Sequence, residues 1–445
     1  MANNQQSTEE GGFLDDIFNL SQNDTDVKTE FIAGLTTFMT MAYIIFVNPD
    51  ILESAGMPFE GVFIATIAGI ILGTLAMAFL TNYPFALASG MGLNAFFAYS
   101  VVIGMGVAWE VALGIIFLEG ILFILLSVSH VRKQLVNGIP MSLKIGISAG
   151  IGLFIVFIGF QNAEYVVLDE ATMVAFGSFV EGPALVATVG LVIAGVLYSM
   201  QVKGALLFAI LGATVFGFIP GVTPVPDAVV QMPTMGDWGG VLMQLDLSAV
   251  FDAGLIAVIL SFLFVDLFDT AGTLVGLSQQ AGYLDEDGNL PKANRALLAD
   301  AIGTTGGALF GTSTVTTYIE SASGVEEGGR TGLTGVFVAL LFFLSLFFMP
   351  IVGMVPSAAT APALIIVGVM MTSNVTDLDW DDYTEIIPAF LTMVTMPFAY
   401  SISHGIAVGF VVYPLLKLFT GRKDETNVLS WVLFVVFILY FVFLE

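Results

Sequence analysis

Residues 61 to 80, GVFIATIAGIILGTLAMAFL, are uncharged and apolar on every face. As a helix they would span about 30 Å, the thickness of the hydrocarbon core of a bilayer. A soluble helix turns one polar face to water, and this stretch has none. Comparable runs recur from Phe31 onward in a chain of 445 residues that is 57% hydrophobic and only 11% charged. Barrel strands would alternate apolar and polar positions over segments of about ten residues. These runs do not alternate, so the chain reads as an all-α polytopic membrane protein.

The first half divides into spans near 31–48, 61–81, 90–104, 109–129, 141–160, 183–199 and 203–219. A polar, proline-rich connection, IPGVTPVPDAVVQMPTMGDWGG, follows, and then spans near 254–276, 294–311, 318–329, 331–349, 358–372, 385–401 and 404–420. Seven is odd, so two consecutive halves of seven enter the membrane from opposite sides, the inverted 7+7 repeat of many secondary transporters. All 11 basic residues fit this count of fourteen. With the N-terminus cytoplasmic, Lys28, Arg132, Lys133, Lys144, Lys203, Lys292, Arg295, Arg330, Lys417, Arg422 and Lys423 all flank spans on the cytoplasmic side, as the positive-inside rule requires. Residues 429–444 form a further apolar stretch that is short for a span.

Residues 1–27 are polar and acidic, without the basic and apolar regions of a signal peptide, and read as a disordered cytosolic tail. The chain has no cysteine, which excludes disulfides, thiolate metal sites and thiol nucleophiles. Its two histidines, His130 and His404, lie at span ends and receive no role. A net charge of -26 argues against nucleic acid as a partner.

Two segments, each third in its half, are unlike the other spans: NYPFALASGMGLNAFFAYS (82–100) and GTSTVTTYIESASGVEEGGRTG (311–332). Each starts with an extended-looking stretch rich in proline, serine or threonine and continues as a helix too short to cross. Irregular backbone at membrane depth is tolerated only where protein or a wet cavity satisfies it, which makes these segments the best pointer to a binding site. Carboxylates give a second pointer, because an ionisable group at bilayer depth costs roughly 2.5–3.5 kcal/mol and tends to be functional. Asp266 and Asp269 share one face of a helix in FLFVDLFDTAGTLVG. Glu320 lies in the second broken segment, and Asn94 in the first. Asp300 and Glu119 stand alone in sequence, where helix packing explains them as well as function does. The glycine-rich stretches AGIILGTLAMAF and AIGTTGGALFG lack the lysine and strand context of a nucleotide-binding P-loop and read as close helix packing.

Four stretches, TEFIAGLTTFMTMAYIIFVNP (29–49), ALASGMGLNAFFAY (86–99), FVDLFDTAGTLVG (264–276) and TSTVTTYIESASGVEEGGRTGLT (312–334), resemble the azaguanine-resistance-type purine permeases of the nucleobase-cation symporter-2 superfamily. The resemblance covers almost the whole membrane region. It implies fourteen spans, with a core domain from 28–129 and 251–350 and a gate domain from 130–219 and 351–421. Residues 220–250 would be an extracellular connection and 422–445 an apolar C-terminal segment. It further implies uptake of adenine, guanine or hypoxanthine across the cell membrane, with the proton as coupling ion and Na+ still open, and no cofactor. Asp266, Asp269 and Glu320 would bind the base or couple the proton, Asn94 would complete the pocket, and the backbone amides of Tyr318, Ile319 and Ser321 would assist. Homodimerisation is left open.

Two other readings compete. An anion transporter on the same plan would place a basic residue or bare helix N-termini at the site, and three carboxylates argue against it. An intramembrane aspartyl enzyme would need two acids facing each other from different segments, whereas Asp266 and Asp269 share one helix. The sequence therefore points to a transporter and not to an enzyme.

Overall fold

The computed structural model describes residues 13–128, 139–226, 228–251, 253–285 and 290–444. His130, Arg132 and Lys133 lie outside them. The chain opens with α1 (Phe13–Phe18), inside the stretch expected to be disordered. That expectation is corrected from Phe13 onward, because Phe18 and Leu20 are buried against Leu333. The acidic composition of the leader concealed these two anchors.

Helix α2 (Val27–Met41) is capped by Asp26, which accepts the Thr29 N–H at 2.7 Å. After a turn at Ala42 and Tyr43 the chain continues as α3 (Ile44–Ser54), followed by the long α4 (Phe59–Thr81). A three-residue strand β1 (Leu87–Ser89) leads into α5 (Met91–Ala95), which widens into a π-helix over Phe96–Gly104. Helices α6 (Trp109–Val128) and α7 (Met141–Asn162) come next. A hairpin of β2 (Val166–Asp169) and β3 (Met173–Phe176) follows that the apolar pattern did not announce. Its signal was the turn residue Asp169, whose carboxylate accepts the N–H groups of Ala171 and Thr172, both at 2.9 Å. Helices α8 (Gly182–Ser199) and α9 (Ala205–Gly217) end the first half.

The polar connection folds back on the helix ends through α10 (Met235–Gly239). Trp238 Nε1 donates to Phe310 O at 2.9 Å and Asp246 N to Glu110 O at 2.8 Å. Helices α11 (Ala253–Ala281) and α12 (Ala293–Phe310) then lead to strand β4 (Val315–Thr317) and the short α13 (Ser321–Glu326). The chain finishes with α14 (Gly332–Ser345), α15 (Met349–Gly353), α16 (Ser357–Thr372), α17 (Tyr383–Phe398), α18 (Ile402–Phe419) and the apolar α19 (Val428–Leu444). Among the described residues nine helices are long and apolar enough to cross a membrane. The protein is a mostly helical, multi-pass membrane protein.

Two packing groups are visible. Helix α4 lies against α12, α14 and α3, and α6 against α12 and α11. In the other group α7 lies against α16 and α17, and α8 against α9 and α16. Close approach within the first group depends on glycine: a Cβ on Gly303 would fall 3.2 Å from Gly73 Cα and 3.0 Å from Val315 Cγ1. Polar pegs fasten the helix ends. The fully buried Glu30 of α2 accepts the N–H of Arg330 at 2.9 Å and that of Thr334 at 3.0 Å, which secures the start of α14.

The C-terminal segment is tied to the second group by ions. Lys417 Nζ lies 2.6 Å from Glu385 and 2.7 Å from Glu425, and Arg422 bonds Asp382 at 2.7 Å and Glu425 at 2.6 Å. The Thr384 hydroxyl, and then Arg422, hold the Asp382 carboxyl down at about 2. Hydrogen bonds from Arg422 and Lys417 pull Glu425 to about 2. Both folded values are below those of the free side chains. The stabilisation is therefore present above about pH 4.5 and is lost as pH falls toward 2. Hydrogen exchange at residues 422–431 should accelerate across that window while α4 and α12 stay protected, and uniform protection down to pH 2 would contradict this anchoring.

Candidate functional site

The sequence between α4 and α5 cannot start as helix, because Pro84 restricts its predecessor and the following residues run extended into β1. Between α12 and α13 the β-branched run TSTVTT favours the same extended form. The two stretches meet as an antiparallel pair, Leu87 opposite Thr317, Ala88 opposite Thr316 and Ser89 opposite Val315. Gly90 N donates to Thr314 O and Tyr318 N to Ala86 O, each at 3.0 Å.

The outer edges are closed by threonines. Thr74 of α4 donates its hydroxyl to Leu87 O at 3.1 Å and accepts from Leu87 N at 3.0 Å. Thr304 of α12 does the same to Val315, at 3.0 and 3.2 Å. At each strand a single hydroxyl thus satisfies both backbone groups of the first residue.

Glu320 follows β4 and is half-buried. Tyr43, at the turn between α2 and α3, donates its hydroxyl to Glu320 Oε1 at 2.7 Å. Thr40 and Ser323 join their hydroxyls beside it at 3.0 Å. Asp269 of α11 is exposed in the middle of a membrane-length helix and is an electrostatic neighbour of Glu320 and of Tyr318. Two carboxyl groups from different elements are thus electrostatic neighbours beside the strand pair, Asp269 exposed and Glu320 half-buried.

Deeper in the fold lies a buried polar layer. Asp266, Asp300 and Glu119 have no exposed surface. Asp300 accepts the Thr270 hydroxyl at 2.9 Å, the Thr317 N–H at 2.9 Å and the Thr317 hydroxyl at 3.0 Å. Thr270 also meets Thr316 at 2.7 Å, so α11, α12 and β4 are joined through one carboxylate. Among the described residues no group of three or more histidine, cysteine or acidic side chains has the geometry to hold a metal ion.

Residues 28–442 match the model of a permease family. The chain is 44% identical to the adenine permease AdeP of Escherichia coli over 434 residues, 98% of this chain and 97% of that one. It is also 44% identical to the guanine/hypoxanthine permease PbuO of Bacillus subtilis, covering 95% of this chain and 98% of that protein. The chain belongs to the nucleobase-cation symporter-2 family. Its relatives are permeases and not enzymes. In fold, the permease is similar to the transmembrane domain of a cyanobacterial bicarbonate transporter, BicA, at 14% identity and a TM-score of 0.64, covering 86% of this chain and 97% of that one. The murine anion transporter Slc26a9 gives the same TM-score at 12% identity, covering 94% of this chain and 74% of that one.

Within this permease the residues singled out from sequence separate into two layers. Asp269 is the carboxylate that neighbours Glu320, whereas Asp266, one turn earlier on α11, faces Asp300 and Glu119. Asp300 and Glu119, solitary in sequence, are therefore not solitary in space. The amide hydrogens of Tyr318 and Ser321 are already used, on Ala86 O at 3.0 Å and Tyr318 O at 3.1 Å, leaving that of Ile319, whose side chain is exposed. The Tyr318 hydroxyl donates to Ser89 O at 2.5 Å and the Ser321 hydroxyl accepts Ala86 N–H at 3.0 Å. Both side chains thus fasten the strand pair. Asn94 is buried with Oδ1 accepting from Ser313, while its Nδ2 has no partner. Tyr43 and Thr40 escaped the sequence reading. Only the TTFMTMAY motif, with its polar residues in an otherwise apolar span, carried a trace of them.

Replacing Asp300 with alanine would strand the Thr317 N–H and hydroxyl in a buried layer and leave the Thr270 hydroxyl only Thr316. An unsatisfied buried donor costs about 1–3 kcal/mol, so Asp300→Ala should lower the thermal midpoint of the purified permease by several degrees. A midpoint unchanged from wild type would show that the bonds to Asp300 do not hold β4.

Proposed function

We propose that the permease is a secondary active transporter that takes purine nucleobases, adenine, guanine or hypoxanthine, across the cell membrane with protons. The observation that carries this reading is the accessible carboxylate pair, Asp269 and Glu320, beside two backbone strands. A purine offers N–H donors and ring-nitrogen or carbonyl acceptors along its edges, so a carboxylate can accept from one edge while a protein donor serves another. Tyr43 occupies Glu320 Oε1 and leaves Oε2 to the base. The unpartnered Asn94 Nδ2 and the Ile319 amide are the donors we assign to the opposite edge. An anion would find two carboxylates in its place, which disfavours that alternative despite the likeness in fold.

The architecture we assign to this function is the fourteen-span, 7+7 inverted repeat, with the N-terminus in the cytoplasm. It is supported by the matching roles of Thr74 and Thr304 on the second helix of each half, and by strands paired antiparallel about Ala88 and Thr316. The first packing group corresponds to a core, residues 28–129 and 251–350, and the second to a gate, 130–219 and 351–421. Alternating access then consists of the gate rocking against the core. In the present conformation the two are tied by Asp50, which accepts the hydroxyls of Ser357 at 2.6 Å and Thr360 at 2.9 Å, and by the pair Lys203 and Glu327.

The test is uptake of radiolabelled adenine, guanine and hypoxanthine into proteoliposomes with an imposed pH gradient. Glu320→Gln and Asp269→Asn should each lower uptake about tenfold to a hundredfold, the worth of one charge-assisted hydrogen bond of roughly 1.5–3 kcal/mol. Tyr43→Phe should raise the half-saturating concentration severalfold. Accumulation unaffected by either acid substitution would exclude the site, and accumulation that follows a sodium gradient alone would exclude the proton as driving ion.

A further inference from the structure

Glu119 is given no role in the base site described above, yet it is a fully buried carboxyl whose oxygens lack a hydrogen-bond donor. It lies midway along α6 with no exposed surface, and neither Oε1 nor Oε2 receives a hydrogen bond. Helix α6 packs on α11 and α12, and the titratable groups facing Glu119 from them are Asp266 and Asp300, with Asp269 beside Asp266. Among the described residues no lysine, arginine or histidine figures among the main electrostatic neighbours of Glu119, Asp266 or Asp300. Glu119 and Asp266 are neighbours across the packed helices α6 and α11, and each carries buried oxygen without a hydrogen-bond partner.

Two buried carboxylates without donors would leave uncompensated charge side by side, which is relieved when one is an acid whose O–H can serve the other. Asp266 is otherwise poorly supplied. Its Oδ1 has no partner, and Thr304 can offer Oδ2 a bond at 3.3 Å only by diverting the one proton it gives to Val315 O at 3.0 Å. Asp300 differs, with three donors to stabilise a full charge. The buried pair, short of donors, thus calls for a proton, whereas a metal ion would need ligands converging in a geometry absent among the described residues.

We propose that Glu119 and Asp266 form a two-carboxyl site that binds the transported proton, with Glu119 the member that makes loading reversible. This rests on the proton-driven reading above. Between cycles one O–H is shared and the pair carries a single negative charge. Loading transfers one proton from water to the remaining carboxylate oxygen, forms a second O–H bond and leaves the pair neutral; unloading returns that proton to water. The change in charge is felt by the neighbouring Asp300, which holds Thr317 of β4, three residues before Glu320. The proton site and the base site are thereby joined through contiguous contacts.

Infrared spectroscopy of the full-length permease in detergent without substrate reads the shared proton directly. Wild type should show the carbonyl stretch of a protonated carboxylic acid at pH 7. That band should disappear in both Glu119→Gln and Asp266→Asn, and should persist, shifted, in Glu119→Asp, which keeps the acid and controls for folding. A band of wild-type intensity in Glu119→Gln and Asp266→Asn overturns the proposal. In proteoliposomes Glu119→Gln should lower accumulation of labelled adenine under a pH gradient by about tenfold or more, while base-for-base counterflow falls less than about threefold, a split expected of lost coupling and not of lost binding. Wild-type accumulation, or an equal fall in both assays, also overturns it. If wild type moves no purine at all, the proposed substrate is wrong, and the infrared band still decides the proton site.

Discussion

An unpaired peptide group in hydrocarbon costs several kcal/mol, so a membrane fold that abandons helix must satisfy each backbone donor and acceptor some other way. Here the solution is mutual. Leu87–Ser89 and Val315–Thr317 pair with each other, and Thr74 and Thr304 close their outer edges. Neither strand could persist without the other, because each lacks the ladder that a helix carries within itself. Close packing of α4 on α12 at Gly73 and Gly303 brings these threonines to the strands. Tyr318 and Ser321 add their side chains to the same fastening.

What the pairing gains for function is placement. It ends β4 just ahead of Glu320, where Tyr43 fixes one carboxyl oxygen and Asp269 stands across from it. The same strand carries Thr317, the ligand of Asp300, so the open carboxylates of the base site and the buried carboxyls deeper in the fold share a mechanical part. On the proposed reading, ligand chemistry and proton chemistry sit on opposite sides of one short strand.

Much of this was legible from residues alone. Runs apolar on every face marked spans such as 61–81 and 109–129 to within a residue or two of α4 and α6, because the bilayer sets both their length and their composition. The extended stretches near Ala88 and Thr316 were visible as proline and β-branched residues where a helix should have been. Which carboxylate of α11 meets Glu320 was not legible. Asp266 and Asp269 are only three positions apart, and the rotation of the helix against α6 and α12 decides which faces the open space. Tyr43 was hidden because a tyrosine among isoleucines and phenylalanines looks like core, and the β2–β3 hairpin because its strands are short and exposed. Phe18 and Leu20 show the reverse error: an acidic leader was read by composition, although two apolar residues suffice to dock it.

The central claim is that the acidic groups beside the strand pair face the ligand. A cryo-electron microscopy structure of the permease with adenine or hypoxanthine bound tests it most directly. The base should lie beside the strand pair, with N–H groups within hydrogen-bonding distance of Glu320 and Asp269 and its opposite edge toward Asn94 Nδ2 and the Ile319 amide. A base bound elsewhere, with both carboxylates turned away from it, would contradict the account.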